Sequence, residues 1–233
     1  MNAAAEWVND QASSHIAITG GKAGALSQLL KANAIMVPEF EATISGVQQL
    51  LLEEGHSQDS YILTNVGTGT SIHHINGGQH VRVAGTGVGG GTIMGLAKLL
   101  TGLDEYEDIS NLATGNKRDR IDLKVHHIYE GTEPPIPGDL TASNFGNLRD
   151  LSSGNLSNEE LTSTIVGMVA ETITVVSLQA AQQFNAKTIV YIGSTFSNNQ
   201  LMKDIVIRYT NMYGLNSILL KHGEFSGAVG AMQ

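Results

Sequence analysis

The sequence predicts an α/β fold, and three observations carry that prediction. Short apolar runs suited to strands alternate with longer segments whose apolar residues recur at helical spacing. The turn NGG at 76–78 separates two alternating runs and signals an antiparallel hairpin inside this alternation. Three strand-like runs end in glycine beside hydroxyl side chains: NVGTGTS, GTGVGGGT and YIGST.

In chain order, AAAEWVND reads as the end of a helix, HIAIT as a strand, and 20–24 as a glycine turn feeding a helix to about residue 32. AIMV is a further apolar run that meets Pro38. EFEATISGVQQLLLEEG then places Ile44, Val47, Leu51 and Leu52 on one helical face, with Gly55 as its stop. YILTNV is a strand, SIHHI and QHVRVAG are the hairpin arms, and GTGVGGGTIMGLAKLLTG is a glycine loop running into a helix. From about 103 to 154 the chain is polar and irregular, with three of its four prolines in EPPIPGD and a helix expected at RIDLKVHHIYE. Ser157 and Glu160 form a capping box ahead of a long helix reaching about Phe184. TIVYIG is a buried strand, NNQLMKDIVIRYTNMYG a helix closed by Gly214, SILLKH a strand, and GEFSGAVGAMQ the first turns of another helix.

Composition narrows the function. A chain of 233 residues, 41% hydrophobic and 15% charged, is long enough for a well-buried core in one large or two small domains. Thirteen Lys and Arg against 22 Asp and Glu give a net charge of -9, and no basic run offsets it, which argues against a nucleic-acid partner. With no cysteine there is no disulfide scaffold, thiolate nucleophile or Cys-based metal site, and an intracellular, cytoplasmic setting is expected. MNAAAEWVNDQ lacks the pattern of a signal peptide, and Glu171 is expected to interrupt the longest apolar stretch before it spans a bilayer.

The glycine loops point to an anion. Glycine lets backbone amides approach a ligand closely, Thr and Ser add donors, and a helix behind the loop adds its positive end, so phosphate is the natural guest. Gly85, Gly87 and Gly90 also satisfy G-x-G-x-x-G, but they follow a hairpin arm rather than a parallel βαβ unit, so a dinucleotide fold is not indicated. No GxxxxGK[ST] or G-x-S-x-G occurs. The pairs at 73–74 and 126–127 are adjacent histidines whose side chains should diverge, and no zinc motif surrounds them, so no protein-built metal site is expected.

PEFEA, NVGTGTS, RVAGTGVGGGTIMGL, IDLKVHHIY, EPPIPGDLTASNFG, VYIGSTF and GEFSGAVGA, in unbroken order along the chain, resemble the motifs of the type II pantothenate kinases. The resemblance implies the two-domain actin, Hsp70 and sugar-kinase (ribonuclease H-like) fold, a homodimer, and phosphorylation of pantothenate by ATP with Mg2+ as companion. Carried over by motif, Glu39 is the general base and Arg82 the arginine beside substrate and transferring phosphate. Gly67, Thr68, Gly69, Gly89, Gly90, Gly91, Thr92, Ile93 and Met94 lie around the ATP phosphates, with Tyr106 and Ser194 lining the nucleotide site. Thr141 and Tyr209 join Glu39 and Arg82 at pantothenate, partly from the other subunit. The family's opening Asp-Gly-Gly-Thr loop has no counterpart here. The resemblance thus implies an incomplete N-terminal domain at 1–60, a C-terminal domain at 61–233, and weak or no activity. Exposed apolar faces are expected on the helices at 24–32 and 44–52. A catalytically silent remnant, or another small-molecule kinase of the same fold, is the alternative.

Overall fold

The computed structural model describes residues 1–11, 13, 15–150 and 155–233. The chain divides into two compact units, Met1–Asp59 with Leu220–Gln233, and Ser60–Leu219. The tail does not stay with the second unit as the range 61–233 implied, because its helix packs on the first.

In the first unit, α1 (Asn2–Asp10) precedes a small βαβ: β1 (Ile16–Ile18), α2 (Ala23–Ser27) and β2 (Ala34–Met36), with β1 and β2 parallel. Next, α3 (Glu39–Glu53) starts at Pro38, whose fixed φ suits a helix entry, with Glu39 and Glu41 complementing the dipole of its first turn. Ile44, Val47 and Leu51 are buried, and their cover includes α9 (Ser226–Ala231). The expected exposed face at 44–52 is therefore largely closed by the end of the chain. Leu52 is the exception at 67% exposure, since one residue beyond Leu51 turns it a further 100° away from Val47. On α2, no residue is buried. The α3–α9 crossing is a backbone contact: a Cβ on Gly46 would stand 1.8 Å from Ser226 O, and one on Gly230 would stand 1.8 Å from Ala42 O.

The second unit is built on one sheet of order β5-β4-β3-β8-β9. Its members are β3 (Ser60–Val66), β4 (Thr70–Asn76), β5 (Gln79–Thr86), β8 (Thr188–Ile192) and β9 (Asn216–Leu219). The hairpin is β4–β5, closed by Gly77 and Gly78, both at positive φ as a two-residue turn requires. β3 is antiparallel to β4 and parallel to β8, and β8 is parallel to β9. The sheet-covering helices include α4 (Gly90–Thr101), α7 (Asn158–Phe184) and α8 (Gln200–Met212). Ile62, Val66, Ile93, Ile165, Val169, Ile173 and Tyr191 share their core, each fully buried aliphatic side chain contributing about 1.5–3 kcal/mol. Thr64 Oγ1 and Ser177 Oγ, 2.8 Å apart and buried, tie the sheet to α7.

The capping box at α7 forms as expected, with Ser157 Oγ accepting from Glu160 N–H and Glu160 Oε2 accepting from Ser157 N–H. Contrary to expectation, Glu171 does not keep this stretch too short or too polar to span a bilayer. By length and composition α7 could cross a membrane, but 67% of its most apolar window is buried inside the protein, as befits a core helix. The middle segment is more ordered than expected. It contains α5 (Tyr106–Leu112), β6 (Leu123–Lys124) paired with β7 (Thr141–Ser143), and only one turn of helix, α6 (Val125–Ile128), where RIDLKVHHIYE suggested a longer one. Burial of Asp122 and Lys124 within an ion cluster competes with helical geometry there.

Because Gly46 and Gly230 leave no room for side chains, Gly230→Ala should destabilise the protein by at least about 1–3 kcal/mol, the usual cost of overpacking. Chemical denaturation checks this; an unchanged midpoint would mean the two helices can separate freely.

Candidate functional site

Three loops leave one edge of the central sheet. β5 is antiparallel to β4, which is antiparallel to β3, so β5 runs parallel to β3 and β8. The turns after Val66, Thr86 and Ile192 consequently emerge on the same side. They are bonded to one another: Gly90 N–H donates to Gly67 O and Gly91 N–H to Thr68 O, each at 2.8 Å. Thr195 Oγ1 also donates to Gly67 O (3.0 Å), and Thr70 Oγ1 donates to Val88 O (2.8 Å). A Cβ on Gly89 would stand 2.8 Å from the backbone of Gly69. Glycine is needed there for proximity.

This interlock changes the role of α4. The amides of Thr92 and Ile93 both donate to Gly89 O, so each of the first four amides of the helix has a protein acceptor. Thr92 Oγ1 is occupied as well, accepting from Gly89 N–H (3.2 Å) and donating to Gly87 O (3.1 Å). The loops spend these donors on their own shape. The helix still directs its positive end at the edge where they meet. Among the described residues, the hydroxyls of Thr68 and Ser194 have no protein partner and remain for a ligand.

A cavity of about 350 Å3 opens on this edge, and of the expected nucleotide residues Gly67, Thr68, Gly90, Gly91, Met94, Tyr106 and Ser194 line it. Thr195 joins them; it stands beside Ser194 in the YIGST run but was not singled out. Gly69, Gly89, Thr92 and Ile93 are not among the lining residues, and the Ile93 side chain is fully buried in the core. Tyr106 OH donates to Thr195 O and accepts from Asn199 Nδ2 (2.8 Å), while Asn199 Oδ1 caps α8 through Met202 N–H (3.1 Å). Burial pushes the Tyr106 phenol up to about 12, so it stays a protonated donor. Asn199, invisible to sequence reasoning, thus joins the cavity wall to a helix N-terminus.

Arg82 lies on β5 and is exposed, with its guanidinium over Gly85, where a Cβ would stand 2.3 Å from a terminal nitrogen. Three residues apart on a regular strand, the two would face opposite sides. The pairing shifts from Ile72↔Ala84 to His73↔Arg82, leaving an extra residue at Val83, and this bulge puts both on one side. Among the described residues Arg82 has no carboxylate within 4.0 Å, so its charge is uncommitted. Glu39 belongs to the first unit, exposed at the start of α3, with Oε2 4.0 Å from where a Cβ of Gly21 would stand.

Thr141 and Tyr209 meet at a buried charge cluster. Arg118 binds Asp122 through Nε (2.8 Å) and Glu171 through a terminal nitrogen (2.8 Å). Thr141 Oγ1 donates to Glu171 Oε1 (2.8 Å) and accepts from Lys124 Nζ (2.8 Å), and Tyr209 OH donates to the same Glu171 oxygen (3.3 Å). Burial opposes ionisation of Glu171, yet Arg118 and the donors from Asn144 and Thr141 hold it below the ordinary carboxylate value. Burial pushes Asp122 up in spite of Arg118. Of these ionic residues, Glu171 figured in the sequence only as an interruption of an apolar run, and the others gave no signal. The histidines of 126–127 do not diverge as expected: their rings are 4.1 Å apart, because His126 Nδ1 reaches Gly138 O while His127 Nδ1 accepts from Lys124 N–H.

Comparison with known proteins places the chain in a family. The family model described as Fumble matches residues 48–233. A type II pantothenate kinase of Staphylococcus saprophyticus is 44% identical over 97% of this chain and 86% of its own length, and one of Staphylococcus aureus (strain USA300) is 41% identical over 97% and 85%. Among solved structures, the ethanolamine utilization protein EutJ from Carboxydothermus hydrogenoformans superimposes with a TM-score of 0.57 at 13% identity, covering 99% of this chain and 70% of that one. That likeness concerns the fold alone and agrees with the expected actin, Hsp70 and sugar-kinase class. By the identity and coverage of its staphylococcal relatives, the chain belongs to the type II pantothenate kinase family.

Proposed function

We propose that the chain transfers the γ-phosphoryl group of ATP to the primary hydroxyl of pantothenate, giving 4'-phosphopantothenate at the start of coenzyme A biosynthesis. Supporting this reading is the cavity where three loops of neighbouring strand ends converge with the Thr68 and Ser194 hydroxyls uncommitted, in a member of this family. A polyphosphate needs local attraction in a chain of net charge -9, and the α4 N-terminus supplies it. Tyr106 and Met94 give the cavity an aromatic and a thioether wall suited to a nucleoside.

The chemistry divides among few groups. The substrate hydroxyl attacks the γ-phosphorus, the bond from phosphorus to the bridging oxygen of ADP breaks, and the hydroxyl proton passes to the Glu39 carboxylate. Arg82 stabilises charge on the transferring oxygens, for which its uncommitted guanidinium is suited. Gly69, Gly89, Thr92 and Ile93 contribute by holding the loops rather than by touching phosphate. Thr141 and Tyr209 complete the pantothenate pocket, in part across a homodimer. Mg2+ would accompany the nucleotide, since this ion is usually bound through substrate phosphates and retained waters. When bound it neutralises phosphate charge. The enzyme acts in the cytoplasm, without a nucleic-acid or membrane partner.

The direct test is formation of phosphopantothenate from ATP and pantothenate by the purified chain. Absence of both turnover and calorimetric binding of either substrate would end this reading. Glu39→Gln should lower kcat by about 10²- to 10⁴-fold while the thermal midpoint stays put, since the side chain is exposed. Gly89→Ala should prise the second loop from Gly69 and weaken a non-hydrolysable ATP analogue by about tenfold or more, at least one lost charge-assisted hydrogen bond. Calorimetry reads that directly.

A further inference from the structure

The buried charge cluster has no part in the phosphoryl-transfer roles above. Its hub is Glu171, where four chain segments converge on one carboxylate. Oε1 accepts from Arg118 (2.8 Å), Thr141 (2.8 Å) and Tyr209 (3.3 Å), and Oε2 accepts from Asn144 Nδ2 (2.9 Å). These partners come from the turn before β6, from β7, from α8 and from the loop after β7, while Glu171 itself is on α7. Replacing such a cluster by apolar side chains often leaves stability unchanged or improved, so stability alone is a weak account of it.

The bonding of Thr141 is informative. Its one hydroxyl proton goes to Glu171, and its oxygen accepts from Lys124 Nζ (2.8 Å) and Arg118 (3.3 Å). A hydroxyl with its donor and both lone pairs engaged has nothing left for a ligand. Thr141 therefore acts as a link from Glu171 to Lys124, and it is not itself among the residues lining the neighbouring cavity. Beyond Thr141, Lys124 and Tyr209 line a cavity of about 320 Å3, together with Arg118, Arg208 and Asp139. Glu171 is not among the lining residues, so its influence reaches the cavity through the groups it binds.

We propose that Glu171 is a positioning residue of the substrate pocket: its carboxylate sets the Tyr209 phenol directly and the Lys124 ammonium through Thr141, fixing the wall against which pantothenate rests. This rests on the reading that Thr141 and Tyr209 belong to the pantothenate pocket. It differs from a purely structural role in what it requires. Length and direction of the carboxylate matter, and charge alone does not suffice.

The test measures calorimetric affinity for pantothenate and, separately, for a non-hydrolysable ATP analogue in wild type, Glu171→Gln, Glu171→Asp, Tyr209→Phe and the double variant Glu171→Asp with Tyr209→Phe. Glu171→Asp keeps the charge, so the ion cluster survives, but withdraws the oxygens by one methylene. It should weaken pantothenate about tenfold, the scale of a hydrogen bond to a charged group, and leave the ATP analogue within about twofold, the ordinary scatter of a remote substitution. Tyr209→Phe should weaken pantothenate by no more than that, and the double variant no further than Glu171→Asp alone, because the phenol bond that Tyr209→Phe removes is already among those Glu171→Asp withdraws. The proposal is overturned if Glu171→Asp binds pantothenate like wild type, if the two effects multiply, or if both ligands weaken together with a fall in thermal midpoint. Should Glu171→Gln fail to fold through loss of charge, Glu171→Asp still decides. If wild type does not bind pantothenate, the functional reading falls and takes the proposal with it; if wild type binds and Glu171→Asp is unaffected, the proposal falls alone.

Discussion

Backbone proximity between two glycine turns governs the candidate nucleotide site. Gly89 approaches Gly69 so closely that a single methyl would collide, and the contact lets the first turn of α4 dock its amides on the carbonyls of the β3 turn. The loops are thereby rigid before any ligand arrives. Preorganisation of this kind uses donors that would otherwise be open to a bound phosphate. What faces the ligand is a small set of hydroxyls and the axial field of a helix whose own amides are satisfied. Sheet topology is the prior condition, since only a β5 that runs parallel to β3 and β8 delivers all three turns to one edge.

The pocket wall at Thr141 and Tyr209 follows an opposite logic. The loops hold their shape with neutral backbone bonds, whereas this wall is held by buried ions arranged around Glu171. Two cations, Arg118 and Lys124, balance two carboxylates, Asp122 and Glu171, and hydroxyl or amide donors fill the remaining acceptor sites. Such a network is costly to desolvate and tolerates poorly the loss of any one charge, because its partner left alone would be a buried charge. Helix α7 can carry it and still be apolar enough to serve as the core of the unit: beyond the first turn Glu171 is its one charged residue, and that charge is met inside the protein.

Much of the architecture could be read from residues alone. The capping box at Ser157 and Glu160, the Asn-Gly turn and the glycine stops at Gly55 and Gly214 are local devices, so they declare themselves locally. Most of the lining of the cavity at the β3, β5 and β8 turns falls within the glycine-hydroxyl runs. Elements whose form depends on distant partners were not legible. RIDLKVHHIYE has helical periodicity, yet Asp122 and Lys124 are drawn into a cluster whose other half lies on α7. Leu52 shares the apolar character of Leu51 and lies outside the covered face. The tail helix gave no sign that it returns to the first unit.

Sequence by itself determined the α/β alternation, the hairpin, the long capped helix and the residue types of the glycine-hydroxyl loops, because each follows from periodicity, capping or turn chemistry within a few residues. Tertiary structure decided which donors remain for a ligand, which face of β5 carries Arg82, and that Glu171 binds Thr141 and Tyr209. Those outcomes depend on a strand bulge, on two glycine backbones meeting, and on charges brought together from separated segments, and no local pattern encodes a distance between residues far apart in the chain.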